Sequence, residues 1–256
     1  MTIIKMAGLQ LDVAWEDRQA NFERVRGFAK TAVEEGVRVL VLPEMFSTGF
    51  SLNPSVTAEP PDGETPTFIR ELAREFGLVV IGGYVQQRQN GKGANAALAV
   101  DAEGVMLAEY FKAHLFTFME EEKSHDSGMG PRAFVLDGME MMCFVCYDLR
   151  FPEMFRLVAE GASMVFVIAS WPKERQRHWD ILLPARAVEN QFYVMGVNRV
   201  GTGGGYSFTG GTTIIDPMGN TLAHGGKDEG LVIAQIDTEM TADTRAKLPF
   251  LKDRRF

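Results

Sequence analysis

Two cysteines in a chain of 256 residues are too few to staple a domain of this size with disulfides, and the cytoplasm is the expected compartment. Long apolar runs are missing as well. The best, Met164–Ala169, is of strand length and falls far short of the ~18 residues needed to cross a bilayer, so no membrane partner is expected. There is no basic excess: Lys and Arg number 26 against 34 Asp and Glu, a formal charge of −8, which argues against a nucleic-acid-binding stripe. The start, MTIIKMAGLQLDV, lacks the basic segment and small-residue cleavage site of a signal peptide. No Pro/Ser-rich linker, composition break, short repeat or low-complexity tract divides the chain, so residues 1–256 read as one domain. What remains is ordinary globular composition, 46% hydrophobic and 23% charged, with enough length for a sizeable core.

Hydrophobic periodicity outlines an α/β protein with a mixed sheet. Ile3–Leu11 reads as a strand, followed by a helix with Phe22, Val25, Ala29, Ala32 and Val33 on one face and a stop at Gly36. Val37–Leu42 follows as a buried strand. A second helix, Thr65–Phe76, leads into the strand Leu78–Val85, then the hairpin-like strands Ala94–Val100 and Val105–Tyr110. Strand Met139–Val145 runs into a helix from Phe151 to Glu160, with Pro152 in its first turn. Strand Met164–Ala169, helix Gln176–Asn190 and strand Tyr193–Asn198 repeat the alternation, and Thr212–Ile215 and Leu231–Ile236 are the last strands. The glycine-rich segment Gly201–Gly205 does not fit a nucleotide-binding turn, because Tyr206 fills the third glycine slot and strand-like residues follow. A plain flexible loop is expected there.

Cys143 and Cys146 form a CxxC on a strand, where a three-residue offset points the side chains to opposite faces. Their Cα atoms would lie about 10 Å apart, beyond disulfide reach. His114, His125, His178 and His224 supply no zinc-ligand spacing. Cys146 stands apart from Cys143 because it ends a buried strand just before a helix, at the sheet edge where α/β proteins bind ligands. Glu44 and Lys112 end two other strands. Each alone also fits a small core thiol or a solvated charge, but strand ends on one edge converge. A thiol, a carboxylate and an ammonium together make a nucleophile, a base and an oxyanion clamp.

Longer motifs surround these residues. Glu44 in Leu-Pro-Glu-Met-Phe, Lys112 in Tyr-Phe-Lys-Ala-His-Leu-Phe and Cys146 in Cys-Tyr-Asp-Leu-Arg-Phe-Pro-Glu resemble the Glu–Lys–Cys signature of the nitrilase, or carbon–nitrogen hydrolase, superfamily. The resemblance covers nearly the whole chain. The Ser-Trp-Pro, Asn-Arg-Val-Gly and Lys-Leu-Pro-Phe segments are most similar to the bacterial omega-amidase branch. It implies a four-layer αββα sandwich of two mixed β-sheets flanked by helices, a homodimer or larger assembly, a small amide as substrate, and no metal or cofactor. It also implies a second glutamate seven residues before a glycine; Glu120, Glu121 and Glu122 compete, and Gly128 selects Glu121.

The implied reaction is hydrolysis of a terminal amide of the 2-oxoglutaramate or 2-oxosuccinamate type. Other small amides, N-carbamoyl amino acids, deaminated glutathione, or a silent binding role are the alternatives. A thiol of pKa near 8.5 is only about 3% thiolate at pH 7, so Cys146 needs a base, and Glu44 is the candidate. Lys112 and the Tyr147 N–H would stabilise the oxyanion, and Glu121 would position Lys112. His114 is the rival base. Arg150 and Glu153 are expected to pair and support the Cys146 turn, and Arg186 and Glu189 to be structural. Trp171, Lys173 and Arg175, after the strand Met164–Ala169, are the candidates for holding the substrate's remote group.

Overall fold

A computed structural model describes residues 2–255; Met1 and Phe256, which close the stretch expected to form one domain, lie outside the described residues. The first sheet is built from β1 (Ile3–Gln10), β2 (Val39–Val41), β3 (Ala58–Glu59), β4 (Val79–Gln87), β5 (Gly93–Val100) and β6 (Met106–Phe111). β1, β2 and β4 run parallel, as their near-continuous burial requires, and β5 and β6 extend the sheet antiparallel. The second sheet contains β7 (Ala133–Leu136), β8 (Met139–Val145), β9 (Met164–Ala169) and β10 (Tyr193–Asn198), with β8, β9 and β10 parallel. β11 (Val200–Gly203) and β12 (Tyr206–Thr209) form a separate ribbon, β13 (Thr213–Ile215) and β14 (Thr221–His224) complete the second sheet, and β15 (Gly230–Asp237) returns to pair with β1.

Side-chain alternation sorts the layers. In β1, Ile4 and Met6 join a core shared with the second sheet, while Ala7 and Leu9 face α1 (Arg18–Glu34). α2 (Pro54–Thr57) is a single turn, and α3 (Glu64–Phe76) lies beside α1, with Phe22 of α1 stacked on Phe68 of α3 at 4.1 Å. α4 (Glu121–Ser124) is another short turn; α5 (Pro152–Val158) and α6 (Gln176–Asn190) cover the second sheet through Phe155, Trp179, Leu183 and Ala187. The layers therefore run helix, sheet, sheet, helix. α7 (Met240–Lys247) follows the last strand.

Three local expectations change. Val33, in the last turn of α1, is exposed, because the buried face ends at Ala32 before Gly36 reverses the chain at φ 73°. The predicted helix to Glu160 stops at Val158. Gly201–Gly205 is not a loose loop: Gly204 and Gly205, at φ 58° and 84°, make the two-residue turn that joins β11 to β12.

Candidate active site

Four segments converge at the carboxyl ends of the parallel strands. Glu44 lies a short step past β2, after Leu42 and Pro43, where Pro43–Met45 crosses over β4 at Gly83, whose N–H donates to Pro43 O at 3.2 Å. A Cβ on Gly83 would stand 2.7 Å from Glu44 Cα and 2.6 Å from Met45 N, both backbone atoms that cannot rotate away. Gly83→Ala is accordingly expected to displace Glu44 and lower amide turnover about ten-fold with the chain still folded, read by steady-state rate and thermal melt. Lys112 follows β6, its N–H donating to Asn95 O and its carbonyl accepting from Gly128 N–H, both at 2.8 Å. Gly128 packs so closely on Phe111 O that no side chain would fit, which accounts for the glycine at that spacing. Glu121 opens α4. Cys146 follows β8 at φ 46°, the first residue of a tight helical turn, Cys146–Arg150.

Glu44, Lys112 and Glu121 are completely buried. Lys112 Nζ lies 3.2 Å from Glu44 Oε1 and 2.9 Å from Glu121 Oε2. Asn95 Nδ2 donates to Glu44 Oε1 at 2.7 Å, and to Glu121 Oε1 at 3.3 Å. Ser170 N–H holds Glu44 Oε2 at 2.7 Å, and Phe116 N–H holds Glu121 Oε2 at 2.6 Å. Of the three competing glutamates, only Glu121 is buried; Glu120 and Glu122 are exposed. One ammonium between two carboxylates leaves the cluster net negative.

The titrations follow from that arrangement. Burial works against the charged form of Lys112, but Glu121 and Glu44 outweigh it and hold its pKa above the usual lysine range. Glu121 is likewise opposed by burial and kept low by Lys112 and the Phe116 N–H. Burial pushes the Cys146 thiol well up; Glu44 adds to this by its charge and by accepting the thiol hydrogen bond, and Lys112 opposes it. The resting nucleophile candidate is a thiol beside a carboxylate. Cys143, by contrast, is sealed in the core, where burial alone pushes its thiol up to about 12. Both cysteines are free.

Cys146 opens onto a pocket walled by Phe50, Phe116, Met119, Tyr147, Trp171 and Phe208. Arg175, like Trp171 and Tyr147, lines this pocket. Lys173 does not: it is exposed and outside the lining, because the turn Lys173–Arg175 rotates it away from Arg175. Arg150 also corrects an expectation. Rather than pairing with Glu153, it lines the pocket, its guanidinium 4.7 Å from the Trp171 ring and bonded to His178 Nδ1 at 3.1 Å. Burial lowers its pKa and the neighbouring Arg175 lowers it further. Among the described residues, neither Arg150 nor Arg175 forms an ion pair with a carboxylate. Arg186 is structural, as read: Nε and Nη2 clamp Leu149 O at 3.2 and 2.8 Å, and Nη1 meets Glu189 at 2.9 Å. His114 is outside the lining, stacked on Phe151 at 3.6 Å. Asn95, Tyr206 and Phe208 escaped the sequence reading; the alternation Tyr-Ser-Phe after the glycines was the only available signal.

Among the described residues no group of three or more His, Cys, Asp or Glu is placed to hold a metal, and no helix is long and apolar enough to cross a membrane. The chain is 36% identical to a 2-oxoglutaramate amidase of Bacillus subtilis over 96% of each sequence. Its fold superposes on a CN-hydrolase superfamily protein of Xanthomonas campestris, which carries an arsenic adduct in its active site, with a TM-score of 0.93 and 28% identity, covering 100% of this chain and 98% of that one. A mutant amidase from Nesterenkonia sp. AN1, showing Michael addition of acrylamide at its active site cysteine, matches with a TM-score of 0.85 and 30% identity over 96% of this chain and 98% of that one. The carbon–nitrogen hydrolase family model spans residues 5–246, nearly the length of the two sheets and their helices, and the chain belongs to that family.

Proposed function

We propose that this chain is an amidase of the omega-amidase type, releasing ammonia from the terminal amide of a short 2-oxo dicarboxylic acid. The observation that carries the reading is a thiol flanked by a buried Glu–Lys–Glu cluster, at the foot of a pocket with two guanidinium groups that have no carboxylate partner among the described residues. Cys146 Sγ attacks the amide carbon while Glu44 takes the thiol proton, so the high thiol pKa is no obstacle. Lys112 and the Tyr147 N–H stabilise the oxyanion, a donor of that kind being worth ~2.7–4 kcal/mol of barrier. Glu44 returns the proton to departing ammonia, leaving a thioester on Cys146, then activates the water that releases the acid. Glu121 holds Lys112 and takes no proton. Trp171 and the aromatic walls cover the chain of the substrate, and Arg175 with Arg150 receives its remote carboxylate.

A homodimer or larger assembly fits the exposed apolar residues Leu157 on α5 and Ile181 and Val188 on α6. The two free thiols fit a reducing cytoplasm. The decisive experiment compares kcat/KM for a 2-oxo dicarboxylic monoamide and a neutral amide of similar length. A charge-assisted bond is worth about ten- to a hundred-fold, and Arg175→Met or Arg150→Met should erase most of that preference. Lys173→Met should keep it. Equal turnover of both amides by the unmodified protein would reject the substrate assignment.

A further inference from the structure

A third buried carboxylate, Asp148, lies beside the site and has no part in the proton transfers. Its Oδ2 accepts from Tyr110 Oη at 2.7 Å and from Val145 N–H at 3.1 Å. Its Oδ1 accepts from His114 N–H at 3.0 Å and meets His114 Nδ1 at 2.8 Å. Tyr110 Oη also accepts from Ala113 N–H at 3.1 Å. Tyr110 and His114 bracket Lys112 in sequence; Val145 and Asp148 bracket Cys146.

The two bracketed segments hang from different sheets: β6 ends the first, and β8 belongs to the second. Strand pairing fixes Lys112 relative to Asn95, but no ladder bond fixes it relative to Cys146. Glu44 is tied across the gap by Ser170 N–H, and the segment carrying Lys112 is tied across it by Asp148. We propose that Asp148 is a positioning residue for the amidase reaction, a clasp that sets the distance between the Cys146 thiol and the Lys112 ammonium. It rests on the roles given above to those two residues.

A carboxylate is needed because its partners include two backbone N–H groups, one on each side. An asparagine offers one acceptor oxygen and one NH2. In either orientation its NH2 faces a backbone N–H, Val145's or His114's, and that buried donor loses its acceptor. Turned one way, the amide loses the bond across to His114 N–H; turned the other way, it loses the Val145 N–H bond that anchors it to its own segment. Tyr110→Phe is milder, since Asp148 keeps its other partners.

The test measures kcat, KM and the pH profile of Cys146 alkylation by iodoacetamide in Asp148→Asn and Tyr110→Phe, with thermal melts of each. Asp148→Asn should lower kcat about 30-fold with KM within about three-fold, the signature of misplaced reacting groups rather than lost binding. Its alkylation midpoint should move upward as Lys112 retreats from the thiol. Tyr110→Phe should shift both readouts the same way by a smaller factor, and it decides the matter if Asp148→Asn does not fold. Unchanged kcat, or a loss of kcat with an unmoved alkylation midpoint, overturns the proposal. An unmodified protein inert toward every amide would reject the amidase reading alone, because alkylation still reports the thiol's distance from Lys112.

Discussion

Cys146→Ala is expected to reduce ammonia release to background, a loss on the order of 10⁴-fold or more, while Cys143→Ala stays within a few-fold of the unmodified rate. Position alone separates the two thiols. Cys146 stands half-buried on the pocket floor beside Glu44 and Lys112, whereas Cys143 is a strand residue packed in the shared core. Truncating Cys143 removes one buried sulfur and should cost ~1 kcal/mol of stability through the small void it leaves. Rates, melting curves and the mass of trapped acyl-enzyme check both arms. Equal loss in two folded variants would move the nucleophile away from Cys146.

Glu44→Gln should slow acylation about 10³-fold, the scale of a lost general base, without preventing folding. The glutamine is nearly isosteric but cannot take the thiol proton. It also inherits a donor conflict: Glu44 accepts from Asn95 and Lys112 on one oxygen and from Ser170 N–H on the other. Turned the better way, the amide leaves only the Ser170 N–H unpaired, at ~1–3 kcal/mol. Single-turnover mass spectrometry on a slow substrate measures the acyl-enzyme directly. Its rapid appearance in this variant would show that another residue is the base.

How much of this was legible in the sequence depended on the scale of the interaction. Strand Met139–Val145, strand Met164–Ala169, helix Gln176–Asn190 and strand Tyr193–Asn198 have the bounds read from apolar runs and periodicity, since burial on both faces writes itself as a run. Glu44, Lys112 and Cys146 were singled out by their places at strand ends together with the motifs around them, and the structure brings the three together. Glu121 was singled out by the family resemblance, through its spacing to Gly128, and the close backbone contact of Gly128 with Phe111 is one that no periodicity reveals. Arg150 was misread because helical spacing offered Glu153 as its partner, while the tight turn after Cys146 carries it to Trp171 and His178 instead. α7 has no apolar stripe, so nothing marked it, and the β11–β12 ribbon was hidden by glycines that lower strand propensity while making its turn.

The division of the site between the sheets bears on how the chain acquires its chemistry. Glu44, Asn95 and Lys112 ride on the first sheet, while Cys146, Ser170 and Trp171 ride on the second. A folding intermediate with both sheets formed but not yet docked would hold an isolated thiol on one side and an uncompleted carboxylate–ammonium cluster on the other. Neither half can acylate. On the proposed mechanism, hydrolytic competence therefore arises only as the two inner faces meet, because until then the Cys146 thiol has no carboxylate beside it to take its proton.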